Sequence, residues 1–382
     1  MILRLEAEGG AFQRDPPGSA SPATVVAVRD GRFVDPATRP DRIVRVETGR
    51  FYPGLINAHD HLHRNHYSKL GSPPYEDAYA WGADIHAHCA AEIARAKMLD
   101  RRDALLFGAL KNLLGGVTTV VHHDAWEPAF DGDFPLRLAN VRTLHSLGLE
   151  PHEAVEQARA FRTDLPLCIH LAEGTNRRAA NEIRQLDLTG LLDTRLLAVH
   201  AVGVDGPGIT RLCAAGAGVV WCPTSNRFLF GMTAPRELFD SGIDILLGSD
   251  SLLTGDGTLL DELRAARRLG HIDDTRLLAA VGEVSARRLN LPVPSLEPGA
   301  PADVILVRTS LFDARPADIG LVLVGGRPVL ADEAIARDVG LSGQPVIVGG
   351  VRKIVPRQLA RATERAIALS AAGVGSPLEV EC

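Results

Sequence analysis

Between about residues 54 and 290, short apolar runs rich in Val, Ile, Leu and Thr alternate with stretches whose apolar positions recur at helical spacing. Alternation of this kind builds parallel βαβ units. The expected strands are Gly54 to His59, Val117 to His122, Asn140 to Leu144, Leu167 to His170, Leu196 to His200, Gly218 to Cys222 and Ile243 to Ser249. Between them, Asn176 to Leu186 puts Ala179, Ile183 and Leu186 on one helical face, and Thr258 with Asp261 reads as a capping box opening a helix through Leu269. Seven or eight such units in about 240 residues fit a closed parallel barrel better than an open doubly wound sheet. No glycine-rich phosphate loop follows the first strand, which also counts against a dinucleotide fold. The expected fold class is α/β, a (β/α)8-type TIM barrel over 51–295.

The flanks differ. Residues 1–50 and 296–355 carry short β-like runs, among them Ala23 to Arg29, Val304 to Val307 and Leu321 to Val324, with turn residues between them. Together they predict a small composite β-sandwich made from both ends. Pro356 to Ala372, with Leu359, Ala366 and Ile367 at near-helical spacing, predicts a docking helix inside a tail of 356–382. Residues 62–88 are unusually aromatic and His-rich for a strand-to-helix connection. That composition suits a lid over a pocket and equally a surface excursion packing its own aromatics.

Composition narrows the class. At 46% hydrophobic and 23% charged residues the chain is of globular type. A net charge of -6 with interleaved signs leaves no basic patch, so nucleic acid and membrane surfaces are excluded as expected partners and a small molecule is favoured. A homo-oligomer stays open. The opening MILRLEAEGG lacks a basic n-region and apolar core, and no apolar run approaches a bilayer span, so a cytoplasmic location is expected. The scattered Cys89, Cys168, Cys213, Cys222 and Cys382 read as reduced core thiols without the paired spacing of a zinc knuckle.

In a parallel barrel, catalytic groups come from the carboxyl ends of several strands. Here those ends carry His59-Asp60-His61, then His170 followed by Glu173, then His200, then Ser249-Asp250. His-x-His at a strand tip points both imidazoles to one side, because side chains alternate with period two. His170 and the Asp250 carboxylate would complete a site of three nitrogens and one oxygen, suited to one divalent ion, Zn in preference to Fe(II), with a position left for water. Hydroxide then becomes available near neutral pH, Glu173 can carry the proton, and His200 can hydrogen-bond the hydroxide or the developing oxyanion. A lone strand-end His is more often just hydrogen-bonded, but ligand types at successive strand ends form a joint pattern. Trp81 and His122 or His123 are candidate substrate contacts, while His63, His66, His86 and His88 read as lid or surface residues. The rival outside enzymology is a non-catalytic metal-binding scaffold, which would have no reason to keep Glu173 beside a complete clamp.

FYPGLINAHDHLH at 51–63, GVTTVVHHD at 116–124, IHLAEG at 169–174, LLAVHAVG at 196–203, VVWCPTSNRFLFG at 219–231, LLGSDS at 246–251 and SLEPGAPADVILV at 295–307 together resemble the amidohydrolase superfamily. Within it they resemble the branch of cytosine, guanine and S-adenosylhomocysteine deaminases and triazine hydrolases. The resemblance implies one metal on His59, His61, His170 and Asp250, a proton shuttle at Glu173 and a water-orienting role for His200. It places Ser225 and Asn226 near the substrate. Two departures stand out. Only about 46 residues separate His123 from His170 where the family fits two further strand-helix units, pointing to a shortened or absent strand. No lysine lies near the fourth strand, so the bridging carboxylated lysine of dinuclear members has no counterpart. The expected activity is hydrolysis of a non-peptide carbon-nitrogen bond in a small cyclic or heteroaromatic molecule, deamination before cyclic amide hydrolysis or displacement of a ring substituent.

Overall fold

A computed structural model describes residues 1–8, 23–160, 163–370, 378 and 380–381. Eight parallel strands follow one another along the chain: β1 (Leu55–Asp60), β2 (Val117–His122), β3 (Arg137–Leu138), β4 (Arg142–Ser146), β5 (Leu167–Leu171), β6 (Leu196–His200), β7 (Gly218–Trp221) and β8 (Asp244–Leu247). They form a three-stranded sheet, β1-β2-β3, and a five-stranded sheet, β4 to β8 in order. All residues of β1, β2, β5, β6 and β7 are buried, because a parallel strand is covered on both faces, which is why these segments read as near-continuous apolar runs.

Ile56, Ala58, Val121, Cys168, Leu197, Val199, Val220 and Leu246, drawn from both sheets, share one apolar cluster. The Asp250 N–H donates to the His59 carbonyl at 3.0 Å, lacing the end of β8 to that of β1. Among the described residues no ladder joins β3 to β4, so the expected closed barrel is seen as two parallel arcs around a common core. The short separation between His123 and His170 is met by the two-residue β3 and by β4, which sits two residues later than the predicted Asn140 to Leu144.

The helices needed below are α1 (Ala78–His88), α2 (Ala90–Ala96), α3 (Arg101–Leu114), α4 (Arg177–Thr189), α5 (Pro223–Phe230), α6 (Leu259–Leu269) and α7 (Arg357–Ser370). Asn176 caps α4 by accepting the Ala179 N–H, and α6 opens on the Thr258–Asp261 capping box. α7 buries Leu359, Ala360, Ala362 and Ala366, and its Arg365 pairs with Asp103 of α3. Residues 371–372 of the predicted tail helix lie outside the described residues. The 62–88 stretch is more ordered than a loop, with a 3-10 turn at Leu62–Arg64 and then α1 capped by Asp77. Its helical half escaped the pattern because only Ile85 of α1 is buried, so there is no apolar stripe to see.

At the ends, a four-stranded sheet from residues 3–46 and a seven-stranded sheet containing Arg50–Pro53 and Val304–Val307 share a second cluster, with Leu5, Val26 and Phe33 against Phe51, Val304 and Leu321. Cys168 and Cys222 are buried, but Cys213 is exposed on the outer face of its helix, correcting the core reading for that thiol, and Cys382 lies outside the described residues. No helix among the described residues is long and apolar enough to cross a membrane.

Candidate active site

β1 ends in the His-x-His pair, β5 in His170 and the segment after β8 in Asp250, and these side chains converge. His61 Nε2 lies 3.3 Å from His170 Nε2, and Asp250 Oδ1 lies 3.9 Å from both His59 Nε2 and His61 Nε2. A bulge between Ile169 and His170 re-aims the latter. The His170 Nδ1–H donates to the His145 carbonyl at 2.6 Å, which leaves Nε2 as a lone pair. Both nitrogens of His59, Nδ1 of His61 and Nε2 of His200 are buried with no hydrogen-bond partner. Burial, reinforced by the neighbouring imidazoles, holds His59, His61 and His170 well below the ordinary histidine range, so all three are neutral donors.

The donor set fits a cation. Two nitrogens bound at about 2.05 Å to one tetrahedral ion stand about 3.3 Å apart. A buried imidazole with neither nitrogen partnered, as at His59, otherwise has nothing to hold it. His59 with His61 and Asp250, and His59 with His170 and His200, are each close enough to share one ion.

The surrounding groups are tied down. Asp250 Oδ2 accepts the Ser225 hydroxyl at 2.7 Å and the Thr254 hydroxyl at 3.0 Å, while Oδ1 accepts the Ser251 N–H. His200 Nδ1 donates to Asn226 Oδ1 at 2.8 Å, which turns Nε2 toward Glu173 Oε1, 3.5 Å away. The Glu173 carboxyl is pushed up to about 7, chiefly by burial, with Asp250 and Glu182 acting the same way and His200 opposing. Ala172, His200, Ala201 and Asp250 all have positive φ, between 48° and 75°. Left-handed non-glycine backbone is costly, and here it gathers at the strand ends that carry the site.

A cavity of about 690 Å³ opens over these groups. His61, His170, Glu173, His200 and Asp250 form its floor, Leu70, Trp81, Ile85, Leu229 and Leu253 its apolar wall. Of the predicted substrate contacts, only Trp81 lines it, with its indole N–H donating to the Leu70 carbonyl at 3.0 Å. Ser225 and Asn226 sit at the start of α5 and are consumed by Asp250 and His200, and His123 gives its Nε2 to the Leu144 carbonyl. His122 takes the Leu62 N–H on Nδ1. None of these four lines the cavity, and each makes a hydrogen bond within the protein, while His122 Nε2 and His123 Nδ1 stay buried without a partner among the described residues. His63, His66 and His86 line the cavity, whereas His88 pairs with Asp84 on the exposed outer side of α1.

Sequence reasoning missed the polar group beneath the clamp. The Lys111 Nζ, fully buried on α3, donates to Asp60 Oδ2 at 3.2 Å, Ser249 Oγ at 3.0 Å and the Asp250 carbonyl at 2.7 Å. Asp60 also accepts from Asn57, Asn65 and Asn112. The residue between the clamp histidines therefore faces the other way, as strand alternation demands, and anchors β1 to α3 and to the end of β8. The signal was Lys111-Asn112 interrupting the otherwise apolar run from Ala104 to Leu114.

Residues 149–329 match the amidohydrolase family. A 5-methylthioadenosine/S-adenosylhomocysteine deaminase of Pyrococcus furiosus is 28% identical over 207 residues, 46% of this chain and 49% of that protein. The aligned stretch thus spans about half the length of such curated relatives. Among solved structures, a zinc-bound adenosine deaminase from Xanthomonas campestris superposes with a TM-score of 0.71 at 18% identity, covering 96% of this chain and 97% of its own. Zinc-bound atrazine chlorohydrolase from Arthrobacter aurescens TC1 superposes at 0.66 with 16% identity, covering 96% and 99%. The overall fold is accordingly TIM-barrel-like α/β. By sequence over 149–329 the chain resembles the amidohydrolase family, and over nearly its whole length it shares the fold of these solved structures.

Proposed function

We propose that this chain hydrolyses a carbon-nitrogen bond, other than a peptide bond, in a small cyclic or heteroaromatic molecule, releasing ammonia. The observation that carries the reading is the convergence of three neutral imidazoles and one carboxylate beside a half-buried glutamate, in a cavity of about 690 Å³. His59, His61, His170 and Asp250 would hold a single divalent ion, Zn before Fe(II). When bound, such an ion acidifies a coordinated water and polarises the attacked carbon's heteroatom.

The protein's own groups do the rest. Glu173, with its carboxyl at about 7, accepts a proton from water and returns it to the leaving nitrogen. His200, fixed by Asn226, directs Nε2 at the same region and orients the attacking oxygen. Asp250, held by Ser225, Thr254 and the Ser251 N–H, cannot swing away. The deaminases named among the relatives and the folds support this chemistry, and the chlorohydrolase named among the folds supports the alternative of substituent displacement. A closed barrel over 51–295, a composite β-sandwich of 1–50 with 296–355, a tail of 356–382 and a cytoplasmic location belong to the same reading.

The test is a panel of aminopurines, aminopyrimidines, triazines and cyclic amides, followed for ammonia, chloride and ring opening with Zn-loaded protein. Ammonia release abolished in Glu173→Gln supports deamination. Chloride release alone moves the reading to substituent displacement, and no turnover by either route with no bound metal refutes it.

A further inference from the structure

Arg64 follows the clamp by three residues and closes the 3-10 turn Leu62–Arg64. That turn is rigid. Asn65 Nδ2 donates to the carbonyls of His61 and Leu62 and to Asp60, and α3 approaches so closely that a Cβ on Gly108 would stand 2.1 Å from the Leu62 carbonyl oxygen. Arg64 is half-buried and lines the cavity alongside His61, His170 and Glu173. Its Nε donates to His63 Nε2 at 3.3 Å, and among the described residues no carboxylate pairs with its guanidinium within 4.0 Å. Arg101, on the same cavity, is spent on Glu127, whereas Lys97 also lines the cavity with no ion pair among the described residues.

A second cation is the competing occupant of this flank, because His63, His122 and Asp124 are close enough to share one. Two features reject it. The His122 Nδ1 accepts the Leu62 N–H, which puts the ring proton on Nε2, the only nitrogen left to ligate. Arg64 stands against His63 and Arg101 lies 3.9 Å from Asp124, so a cation there would face two guanidinium charges. The flank favours negative charge instead. A pre-set guanidinium with unused forked donors matches a carboxylate or a phosphate oxygen pair, and a half-buried charge without a counterion is satisfied when one arrives.

We propose that the substrate carries an anionic group, a carboxylate or phosphate monoester, and that Arg64 is the specificity-determining residue that pairs with it. The proposal rests on the hydrolytic reading for the attacked ring and adds the charge that the ring must bear. It predicts selection of an anionic heteroaromatic over its neutral isostere.

The experiment uses Zn-loaded full-length protein and matched probes: cytosine-5-carboxylate against its carboxamide, and adenosine monophosphate against adenosine. Binding is measured by calorimetry and ammonia release is scored separately. Wild type should bind the charged member of one pair at least about tenfold tighter. Which pair shows the advantage separates carboxylate from phosphate. In Arg64→Gln the advantage should vanish while the neutral member binds as before, and Arg64→Lys should keep part of it. Should Arg64→Gln fold poorly, loss of the wild-type advantage as salt is raised is the second measure. An absent charge preference in wild type, or one that survives in Arg64→Gln or persists at high salt, overturns the proposal. Arg64-dependent binding without turnover refutes the deamination reading alone, and turnover without charge preference refutes the anion site alone.

Discussion

Glu173 concentrates the chemistry of the site in one side chain, and its surroundings fix its behaviour. To take a proton from water it must be ionised, and burial has raised its carboxyl to about 7. A cation on the neighbouring ligands stabilises the ionised form and lowers that value. kcat/KM should therefore climb with pH along an acid limb at or below about 7, and that limb should disappear in Glu173→Gln. The same variant should lose about 10²–10⁴-fold in turnover while retaining its metal. Asn226→Ala removes the acceptor that orients His200 and should cost about 10–100-fold in turnover, with metal content unchanged. Steady-state kinetics with metal analysis on each variant reads both outcomes.

Among the elements, α5 and α6 make the support visible. Glu262 of α6 is fully buried and accepts the Thr224 N–H of α5 at 3.0 Å, and burial pushes its carboxyl up to about 8. A raised carboxyl favours the protonated native state. Its contribution to stability is thus complete below the ordinary carboxylate range and declines as pH rises toward about 8. Thermal unfolding should show wild type losing stability between mildly acidic and alkaline buffer, and Glu262→Gln losing less. At the start of α1, Ala78 N donates to the Glu173 carbonyl at 3.0 Å and Thr175 N to the Glu76 carbonyl at 2.7 Å, an approach that leaves no room at Gly174. A Cβ there would lie 2.6 Å from the Glu76 oxygen. Gly174→Ala should push the segment 76–78 from the Glu173 segment, lowering stability by about 1–3 kcal/mol and kcat/KM with it, as seen by calorimetry and kinetics.

What the sequence let one read follows from the same physics. Strands such as Leu196–His200, buried on both faces, announce themselves as apolar runs, and polar residues at their ends then stand out. His59, His61, His170 and Asp250 were legible for that reason. Ser225 and Asn226 are placed near the substrate by resemblance alone and His123 is a candidate contact; a polar side chain beside a site can face substrate or its neighbours equally well, and coordinates show the hydrogen bonds that each makes within the protein. α1 hid behind its lack of an apolar stripe. The Asp60–Lys111 pair was hidden because its partners are 51 residues apart and meet only when α3 packs on β1.

For the whole molecule, that buried pair joins the clamp, α3 and the end of β8 into one unit. Lys111→Met would leave the Asp60 carboxylate without its buried counter-charge and should cost about 3–5 kcal/mol in denaturant unfolding. The most direct test of the account is the metal content of purified protein, by elemental analysis with the three single His→Ala variants at His59, His61 and His170. The account predicts one divalent ion per chain, lost or greatly weakened in each variant. Protein that folds and binds no ion, or variants that hold it as tightly as wild type, would contradict it.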